Sequence, residues 1–589
     1  MVKEHLKSLK TAMEKEGMDV YYLNTSDYHM SEYVPEYFKT ILYFSGFTGS
    51  LATLLVTRED TYIFVDGRYH LQADRQCLEN DVKVVKLGTA GALDPIAFLK
   101  KNYAGKVIGL DGRRTGVKFA KQLKKEGLKI LSKDIYSDLI IDRAPLSKDK
   151  VWELDEKYSG LSRKKKIELI TYCLGDKVHI VNNLESIAYL LNLRGNDILH
   201  TPVFLSYLVI LNKEVYLFCD IERFDSELLE ELYDDGVILR PYDSYYDFLK
   251  QIADKKILID ENKVNYETYL SIKGRGNRIY DMTSIIEEMK AVKNPVEQEN
   301  MRLAHIYDGV AVLRFLMWLE TVDKNSISEY DAKCKIDSLR LEYKAIDLSF
   351  SSIVAYNENA AQMHYAPSKD SSTMLADHGI LLFDTGGHYP EGSTDITRTV
   401  ALGPVDDEVK MWFTLVLKSM FNLSSVKFLQ GMNGNQLDIL ARKDLWARGV
   451  DYRCGTGHGV GYLLAVHESP PNVRHGHTQA GSELAPFKPG MICSDEPGVY
   501  FDGKFGIRCE NMILCRKDEL NEYGQFLSFE TLTKVPFDTR LIDKRYLEKE
   551  DIERINAYHE DVYESLLPYL NEEEAQFLRK LTEIGRAHV

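Results

Sequence analysis

The sequence predicts two similar α/β domains followed by an α+β domain, and three observations support this prediction. The chain has 589 residues, 44% of them hydrophobic and 28% charged, which suits a globular protein with several cores. Three blocks of sequence recur in the same order within the first half. The second half contains a long helical stretch and then strands separated by turn residues, as expected for an α+β domain.

The recurring blocks define the first two domains. The matching pairs are 19–27 with 177–186, 41–50 with 188–197, and 51–69 with 205–224. Each copy alternates apolar strand patterns with helical stretches, as in LATLLVTREDTYIFVDGRY and LSYLVILNKEVYLFCDIERF. Any two α/β domains share some of this alternation, but the common order of three blocks favours a repeat.

Two breaks in the pattern set the domain boundaries. Proline and charged residues interrupt the apolar pattern near 140–150. The second break lies in KAVKNPVEQENMRLAH (290–305), where Asn294 suits a helix N-cap, Pro295 the first helical position and Glu297 a capping box. We therefore predict domains at 1–145, 146–292 and 293–589.

Composition and charge argue against several classes of function. The chain has 74 Lys and Arg against 90 Asp and Glu, and the net charge of −16 argues against a nucleic-acid partner. No run of about 18 apolar residues appears, so we expect no transmembrane helix and no membrane partner.

The N-terminal stretch and the cysteines bear on the compartment. The charged N-terminal sequence lacks the apolar stretch of a signal peptide. Eight scattered cysteines without a CxxC pair fit reduced thiols. From these observations we expect a cytoplasmic protein. The terminal EIGRAHV (583–589) matches the translation of a common sequencing adapter and is set aside from the fold prediction.

Five side chains of metal-ligand type occur in strand or glycine-rich contexts of the third domain. Asp384 and Asp395 stand on two β-rich segments joined by a glycine-rich hairpin, although Asp is a poor strand former. His458 lies in CGTGHGVG, where glycines permit close approach of the backbone. Glu496 follows an apolar strand, and Glu510 is expected inside a strand. Four carboxylates and one imidazole can hold two divalent cations, and this oxygen-rich set favours Mn²⁺ or a similar ion.

Each of these residues also has an ordinary structural interpretation. An Asp at a hairpin commonly serves turn chemistry, and a His beside glycines is commonly a surface or core residue. A Glu near an Arg in a strand commonly forms a cross-strand ion pair. From spacing alone, a dinuclear metal site and a set of unrelated structural residues both remain open.

Longer motifs favour the metal site. The segments FDTGGHYPEGSTDITRT, GTGHGVG, VHESP, DEPGVY and GIRCEN resemble the metal-site motifs of the pita-bread metallopeptidases. Within that group the chain is similar to the large three-domain form of the aminopeptidase P (Xaa-Pro aminopeptidase) family, also in FVDGRYHLQA, VKNPVEQENMRLAH and LSFETLTKVP. The resemblance covers about residues 1–570. It implies two α/β, creatinase-like N-terminal domains followed by a pita-bread catalytic domain.

The resemblance implies a role for each candidate ligand. Asp384 would chelate one metal ion, and Asp395 and Glu510 would bridge both ions. His458 and Glu496 would complete the coordination of the other ion. Glu496 would also be the general base that takes the proton from the attacking water.

Four residues would serve the substrate. His364, in MHYAP, and His467, in VHESP, would hold the scissile carbonyl, stabilise the oxyanion and pass protons to the leaving proline nitrogen. Tyr500 and Arg508 would orient these groups and the substrate end. The alternatives are a surface His364, a core His467 and a structural ion pair between Arg508 and a carboxylate.

The implied function is hydrolysis of the bond between an N-terminal residue and a following proline, by a dinuclear-metal-bound hydroxide. The substrates would be peptides with proline in second position, the cofactors two divalent ions, with Mn²⁺ favoured, and the enzyme a homodimer. One alternative is a prolidase restricted to Xaa-Pro dipeptides, which the repeated N-terminal domains and LSFETLTKVP disfavour. The other is a metal-free pita-bread module that binds partner proteins, which the presence of all five candidate ligands disfavours.

One position departs from the family pattern. Members of the family usually have a His four residues before the ligand His, where this chain has Cys454. A small buried thiol that fills space and a thiol facing the substrate cleft are both consistent with this substitution.

Overall fold

The computed structural model describes residues 1–475 and 484–582, so the terminal segment 583–589 lies outside the described residues. Two compact units divide the chain. The first contains residues 1–156 and 161–287, and the second contains 157–160 and the described residues from 288 onward. Among the described residues, no helix combines the length and the apolar character needed to cross a membrane.

The first unit contains two six-stranded sheets. The first sheet is formed by β1 (Val20–Asn24), β2 (Thr53–Thr57), β3 (Thr61–Val65), β4 (Val82–Lys86), β5 (Val107–Leu110) and β6 (Lys129–Ser132). A separate pair is formed by β7 (Trp152–Glu153) and β9 (Leu193–Arg194). The second sheet is formed by β8 (Val178–Val181), β10 (Tyr207–Leu211), β11 (Glu214–Cys219), β12 (Val237–Pro241), β13 (Lys256–Ile259) and β14 (Arg278–Asp281).

The two six-stranded sheets share one topology. Their strand orders are β4-β3-β2-β1-β5-β6 and β12-β11-β10-β8-β13-β14. In each sheet two adjacent pairings are antiparallel and three are parallel, at equivalent places in the order. The strands β1 and β8 hold equivalent inner positions and are almost wholly buried, as expected for strands covered on both faces. The predicted pair of similar α/β folds is confirmed.

Helix α1 (Val2–Lys15) packs on the first sheet because it presents an apolar stripe at helical spacing. In α1 the buried residues are Leu6, Leu9 and Met13, three and four positions apart. The helices up to residue 291 are α1 (Val2–Lys15), α2 (Thr40–Ser45), α3 (His70–Cys77), α4 (Pro95–Asn102), α5 (Val117–Lys125), α6 (Glu156–Ser159), α7 (Arg163–Leu174), α8 (Leu184–Leu191), α9 (Ser226–Asp234), α10 (Tyr245–Leu249), α11 (Tyr266–Ile272) and α12 (Ile285–Ala291).

The second unit is α+β, as predicted. Its helices are α13 (Pro295–Thr321), α14 (Glu329–Glu342), α15 (Asp407–Ser424), α16 (Gly434–Trp446), α17 (Lys549–Leu566) and α18 (Glu572–Thr582). Its first strands are β15 (Asp347–Leu348), β16 (Ile353–Tyr356), β17 (Ile380–Thr385), β18 (Gly387–Tyr389), β19 (Gly392–Ser393), β20 (Ile396–Ala401) and β21 (Phe428–Leu429). Its later strands are β22 (Gly457–Gly459), β23 (Glu468–Val473), β24 (Ile492–Asp495), β25 (Gly498–Phe501), β26 (Phe505–Arg508), β27 (Asn511–Asn521) and β28 (Gly524–Thr531).

The strands of the second unit form small antiparallel sheets. The orders are β15-β18-β19, β16-β17-β20, β21-β28-β27-β24-β22-β23 and the hairpin β25-β26. Among the described residues, each pairing within these sheets is antiparallel. The N-terminus of α13 has the predicted capping box, in which Asn294 accepts from the N–H of Glu297 and Glu297 accepts from the N–H of Asn294.

The sheet β16-β17-β20 is fixed by a core that α13 and α14 share with it. Phe315 of α13 and Phe383 of β17 are both buried, and their rings meet edge-on with centroids 5.2 Å apart. Ile336 of α14 and Val400 of β20 belong to the same cluster. This packing holds the end of β17, so the residue after Phe383 has a defined position.

The segment after β28 is tied to α17 through a buried histidine. The Nε2 atom of His559 accepts the backbone N–H of Phe537 at 3.1 Å, and 4% of the residue is exposed. Burial, assisted by the charge of Arg398, lowers the pKa of His559 to about 4. Protonation would place a charge in the interior and remove the acceptor that Phe537 uses.

We expect acid to destabilise the second unit partly through His559. The unfolded state binds the proton near pH 6.5 and the folded state near pH 4, so the free energy of unfolding falls as the pH drops through this window. Between pH 7 and pH 5 the loss is about 2 kcal/mol for this one residue. His559→Gln keeps an acceptor and does not titrate, so between pH 7 and pH 5 the Tm of this variant should fall less than that of the wild type. Equal falls in Tm in both proteins, measured by calorimetry, would contradict this role.

Candidate metal centre

The hairpin from β17 to β20 brings two carboxylates to one end of its sheet. Asp384 is the penultimate residue of β17 and pairs with Thr397, whereas Asp395 directly precedes β20. The connection is tight at Gly386, where a Cβ atom would lie 2.1 Å from the carbonyl oxygen of Thr394. Only glycine fits there without displacing the backbone.

A second group of strands supplies a histidine and a glutamate. His458 is the central residue of β22, which pairs with β24, and Glu496 follows the last residue of β24. The backbone N–H of Glu496 donates to the carbonyl of Thr456 at 2.7 Å, two residues before His458. This bond fixes the spacing between the two candidate ligands.

Glu510 lies between strands, so the expectation that it stands inside a strand is wrong. β26 ends at Arg508 and pairs with β25, whereas β27 begins at Asn511 and pairs with β24. The chain changes its strand partner in this gap, which breaks the ladder at Glu510. The residue is bound to β20 instead: its N–H donates to the Thr397 carbonyl at 3.2 Å, and its Oε2 accepts from Thr397 Oγ1 at 2.8 Å.

The five candidate ligands meet in three overlapping groups, together with His467. Within each group one ligand atom per residue lies within 4.8 Å of the others. The groups are Asp384 with Asp395 and Glu510, His458 with Glu496 and Glu510, and Asp395 with His458 and His467. The His458 Nε2 atom is 3.5 Å from Asp395 Oδ2 and 3.4 Å from Glu496 Oε1. Residues from distant parts of the chain thus surround one small volume.

The tautomer of His458 suits a metal ligand. Its Nδ1 lies 2.8 Å from the Gly459 carbonyl, so Nδ1–H donates there and Nε2, which faces the carboxylates, is left as the atom that would bind a metal ion. Burial opposes the charged ring, yet the Asp395 hydrogen bond and the Glu496 charge raise the pKa of His458 to about 9. The carboxyl groups of Asp395 and Glu496 therefore favour positive charge at the position of Nε2.

The carboxylates fit a pair of divalent cations. Burial raises the pKa of Asp395 to about 6, and the neighbouring Asp384 charge adds to the shift. Burial and the charge of Asp395 likewise raise the pKa of Glu510 well above its usual value. Among the described residues, Asp384 Oδ1 and Glu510 Oε1 are buried atoms without a hydrogen-bond partner. Buried carboxyl oxygens of this kind need either a proton or a cation as a partner, and the donor set meets the needs of an oxygen-preferring ion.

Arg508 and Tyr500 lie at the Asp384 side of the site. The guanidinium of Arg508 donates to Asp384 Oδ2 at 2.5 Å, to the Tyr500 hydroxyl at 2.8 Å and to Thr397 Oγ1 at 2.9 Å. Arg508 is 3% exposed, so the interaction is a buried ion pair. The ion pair engages Asp384 Oδ2 and thereby orients the carboxylate, so that Oδ1 stays available to a metal ion.

The two candidate substrate histidines differ in how the structure places them. The ring of His467 meets that of His458 edge-on with centroids 4.4 Å apart, which puts His467 at the site. His364 is half-buried on the segment between β16 and β17 and belongs to none of the three groups of described residues. That segment begins with a 3-10 turn (Asn357–Ala361). The turn packs so closely on Gly506 of β26 that a Cβ atom added there would lie 1.8 Å from the Ala360 carbonyl oxygen.

Two buried ion clusters support the site and were missed by sequence reasoning. Lys290 and Lys293 donate to the two oxygens of Glu468, next to His467, at 2.7 and 2.6 Å. Arg442 binds Asp438, and Asp438 accepts from Thr456 on the His458 segment. The only sequence signal for the second cluster is an Asp and an Arg four residues apart on α16.

Cys454 lies at the edge of this scaffold. Its carbonyl accepts from Arg442 at 2.9 Å, and its half-buried side chain packs against the same hydrophobic cluster as Tyr500 does. The side chain therefore shares a packing surface with Tyr500, which accepts from Arg508.

Comparisons with known proteins agree with this architecture. The sequence pattern of metallopeptidase family M24 matches residues 299–517, and that of its C-terminal region matches 525–584. The pattern of the creatinase/prolidase N-terminal domain matches twice, at 5–137 and 142–297. The probable Xaa-Pro aminopeptidase P of Aspergillus flavus is 35% identical over 602 positions, covering 97% of this chain and 90% of the relative. The chain belongs to metallopeptidase family M24.

Solved structures extend the match to this M24 metallopeptidase in three dimensions. The X-prolyl aminopeptidase of Caenorhabditis elegans, described as a cytosolic enzyme with a di-nuclear active site, is 31% identical. It matches with a TM-score of 0.93 over 99% of both chains. The prolidase of Pyrococcus furiosus is 20% identical and matches 63% of this chain with a TM-score of 0.50, which shows a shared fold. The predicted combination of creatinase-like domains with a pita-bread metallopeptidase domain is confirmed.

Proposed function

We propose that this M24 metallopeptidase is an aminopeptidase that hydrolyses the bond between an N-terminal residue and a following proline. One observation carries the proposal: the chain matches the C. elegans X-prolyl aminopeptidase over 99% of both chains. The convergence of four carboxylates and one imidazole supports it at the level of chemistry.

Two divalent ions, when bound to this donor set, acidify a water molecule and polarise the scissile carbonyl. Asp395, Glu510 and His458 each belong to two of the three groups, but only the two carboxylates have a second oxygen with which to contact another ion, which supports their assignment as bridging ligands. Asp384 would bind one ion, and His458 with Glu496 the other. We propose Mn²⁺ because oxygen ligands outnumber the single imidazole.

The side chains around the donor set would then handle protons and substrate. Glu496, whose side chain is 22% exposed, would accept the proton released as water attacks. His467 would donate a hydrogen bond to the developing oxyanion, and His364 would contact the scissile carbonyl and the proline nitrogen. Arg508, with Tyr500, would keep Asp384 in its binding orientation.

We further propose three domains, at 1–145, 146–292 and 293–589. The matched family ranges 5–137, 142–297 and 299–517 support this partition. We propose a cytoplasmic location, which the description of the C. elegans relative as a cytosolic enzyme supports. We also propose that the protein is a homodimer, and this proposal rests on the family resemblance alone. Sedimentation of the purified protein tests the dimer.

The choice between an aminopeptidase and a prolidase depends on substrate length. The proline bond is a tertiary amide in a rigid ring, which ordinary peptidases handle poorly. We expect cleavage of the first bond in a peptide such as Arg-Pro-Pro followed by further residues. Turnover confined to the Xaa-Pro dipeptide, with longer peptides left intact, would show a prolidase. Absence of bound metal together with absence of turnover would show a binding module.

Cys454 offers a test of the cleft wall. If its thiol faces the substrate, alkylation should inhibit the wild type and spare Cys454→Ser, although the exposed Cys173 and Cys334 react in both proteins. Cys454→His should be active and should mainly change KM, because imidazole is the stronger hydrogen-bond donor. Peptide hydrolysis before and after alkylation measures the effect. Equal inhibition of the wild type and Cys454→Ser would assign Cys454 a space-filling role.

A further inference from the structure

Glu329 is a buried carboxylate that the proposed mechanism does not use. It is the first residue of α14, and its accessible surface is 0%. The N-cap residue Ser328 precedes it and forms a capping box with Asp331, so the start of the helix is firmly fixed. A buried carboxylate on so rigid an element can hold other segments in place.

Within the part of the chain that the structure describes, the donors to the Glu329 carboxylate come from the segment 356–373. Its Oε1 accepts from the backbone N–H of Tyr356 at 2.6 Å and from Asn359 Nδ2 at 3.0 Å. Its Oε2 accepts from the Tyr365 hydroxyl at 2.7 Å and from the backbone N–H of Thr373 at 2.8 Å. Both oxygens are thus engaged by donors from the beginning, the middle and the end of one connection.

Further hydrogen bonds close this network. The backbone N–H of Glu329 donates to the Thr373 carbonyl at 3.0 Å, and Asn359 Nδ2 also donates to Thr373 Oγ1 at 2.9 Å. A segment of 18 residues, from 356 to 373, is therefore tied at both ends to the first turn of α14. Hydrogen bonds to a carboxylate are stronger than those between neutral groups, so this tie is a firm one.

His364 lies inside the tied segment, directly before Tyr365. The first part of the segment, the 3-10 turn, packs closely on β26, which ends at Arg508. The strand before it, β16, pairs with β17 so that Ile353 lies opposite Asp384. The network therefore sets His364 relative to the strands that carry the candidate metal ligands.

We propose that Glu329 is a positioning residue that holds the 356–373 segment so that His364 reaches the substrate. The role of His364 in this statement rests on the proposed function. Glu329→Gln is nearly isosteric, but its amide nitrogen cannot accept a hydrogen bond and faces groups that are themselves donors. Asn359 can reach either oxygen, so at least one of the four donors, the backbone N–H of Tyr356 or that of Thr373, then loses its acceptor, and the segment loosens. A displacement of about 1 Å at a reacting group lowers rates by roughly 100-fold.

Hydrogen–deuterium exchange of the metal-free protein tests the structural part of this proposal. Amides in 356–373 should exchange faster in Glu329→Gln than in the wild type. Glu342→Gln is the matched control, because it makes the same substitution at an exposed position on the same helix. Exchange in 356–373 that is unchanged in Glu329→Gln would overturn the proposal. If that variant fails to fold, Tyr365→Phe removes one donor and should change exchange in the same direction.

A double-mutant cycle with His364→Ala tests the functional part. Glu329→Gln should lower kcat about 10- to 100-fold in the wild-type background and less than about 2-fold in the His364→Ala background. Equal losses in both backgrounds would overturn the link to His364. A wild type without peptidase activity would contradict the proposed function instead, and the exchange experiment would then decide the role of Glu329 alone.

Discussion

Asp395→Asn and Glu510→Gln should each abolish turnover and lower the bound metal while the protein stays folded. Each residue is a carboxylate proposed to bind both ions, so either change should disturb both proposed ion positions. We expect kcat on an Xaa-Pro peptide to fall by at least about three powers of ten, because water activation and carbonyl polarisation are lost together. Metal is measured by mass spectrometry, and folding by circular dichroism.

Asp502→Asn is the matched control for these two variants. Asp502 is exposed in the turn between β25 and β26, so its loss of charge should change neither turnover nor metal content. If Asp395→Asn or Glu510→Gln keeps near wild-type activity at full metal occupancy, the ligand assignment is wrong.

His467→Ala and His364→Ala should lower kcat by roughly two to four powers of ten, the range expected for positioned acid–base groups. Their metal content should equal that of the wild type, because both residues are assigned to the substrate. His378→Ala, which changes an exposed histidine of the same unit, serves as the control. For His467 the metal measurement is decisive, since this residue forms one of the converging groups with Asp395 and His458. Loss of metal in His467→Ala would make it a ligand.

The sequence predicted the candidate ligands because each lies in a short motif at the end of a strand or within a glycine-rich turn. The glycines between Asp384 and Asp395 indicate the tight connection that the structure has at Gly386. The repeat in the first half likewise predicted two sheets of one topology, because the same blocks build equivalent strands. These features depend on residues close together in the sequence, so they can be predicted from the sequence pattern.

The partners of the ligands were less predictable because they come from distant parts of the chain. Arg508 pairs with Asp384 across 124 positions, and Lys290 pairs with Glu468 across 178. Periodicity does not indicate which buried charges meet at such separations. The prediction that Glu510 lies inside a strand is wrong for a related reason. The change of strand partner between β26 and β27 depends on the neighbouring strands and not on the local sequence pattern.

Removal and return of metal tests the central claim most directly. The purified protein is stripped with a chelator, dialysed and titrated with Mn²⁺, while bound metal and cleavage of an Arg-Pro-Pro-type peptide are followed together. We predict that the stripped protein is inactive, and that cleavage of the first peptide bond returns as the chain binds up to two ions. Full activity in the metal-free protein, or no cleavage after two ions have bound, would contradict the account.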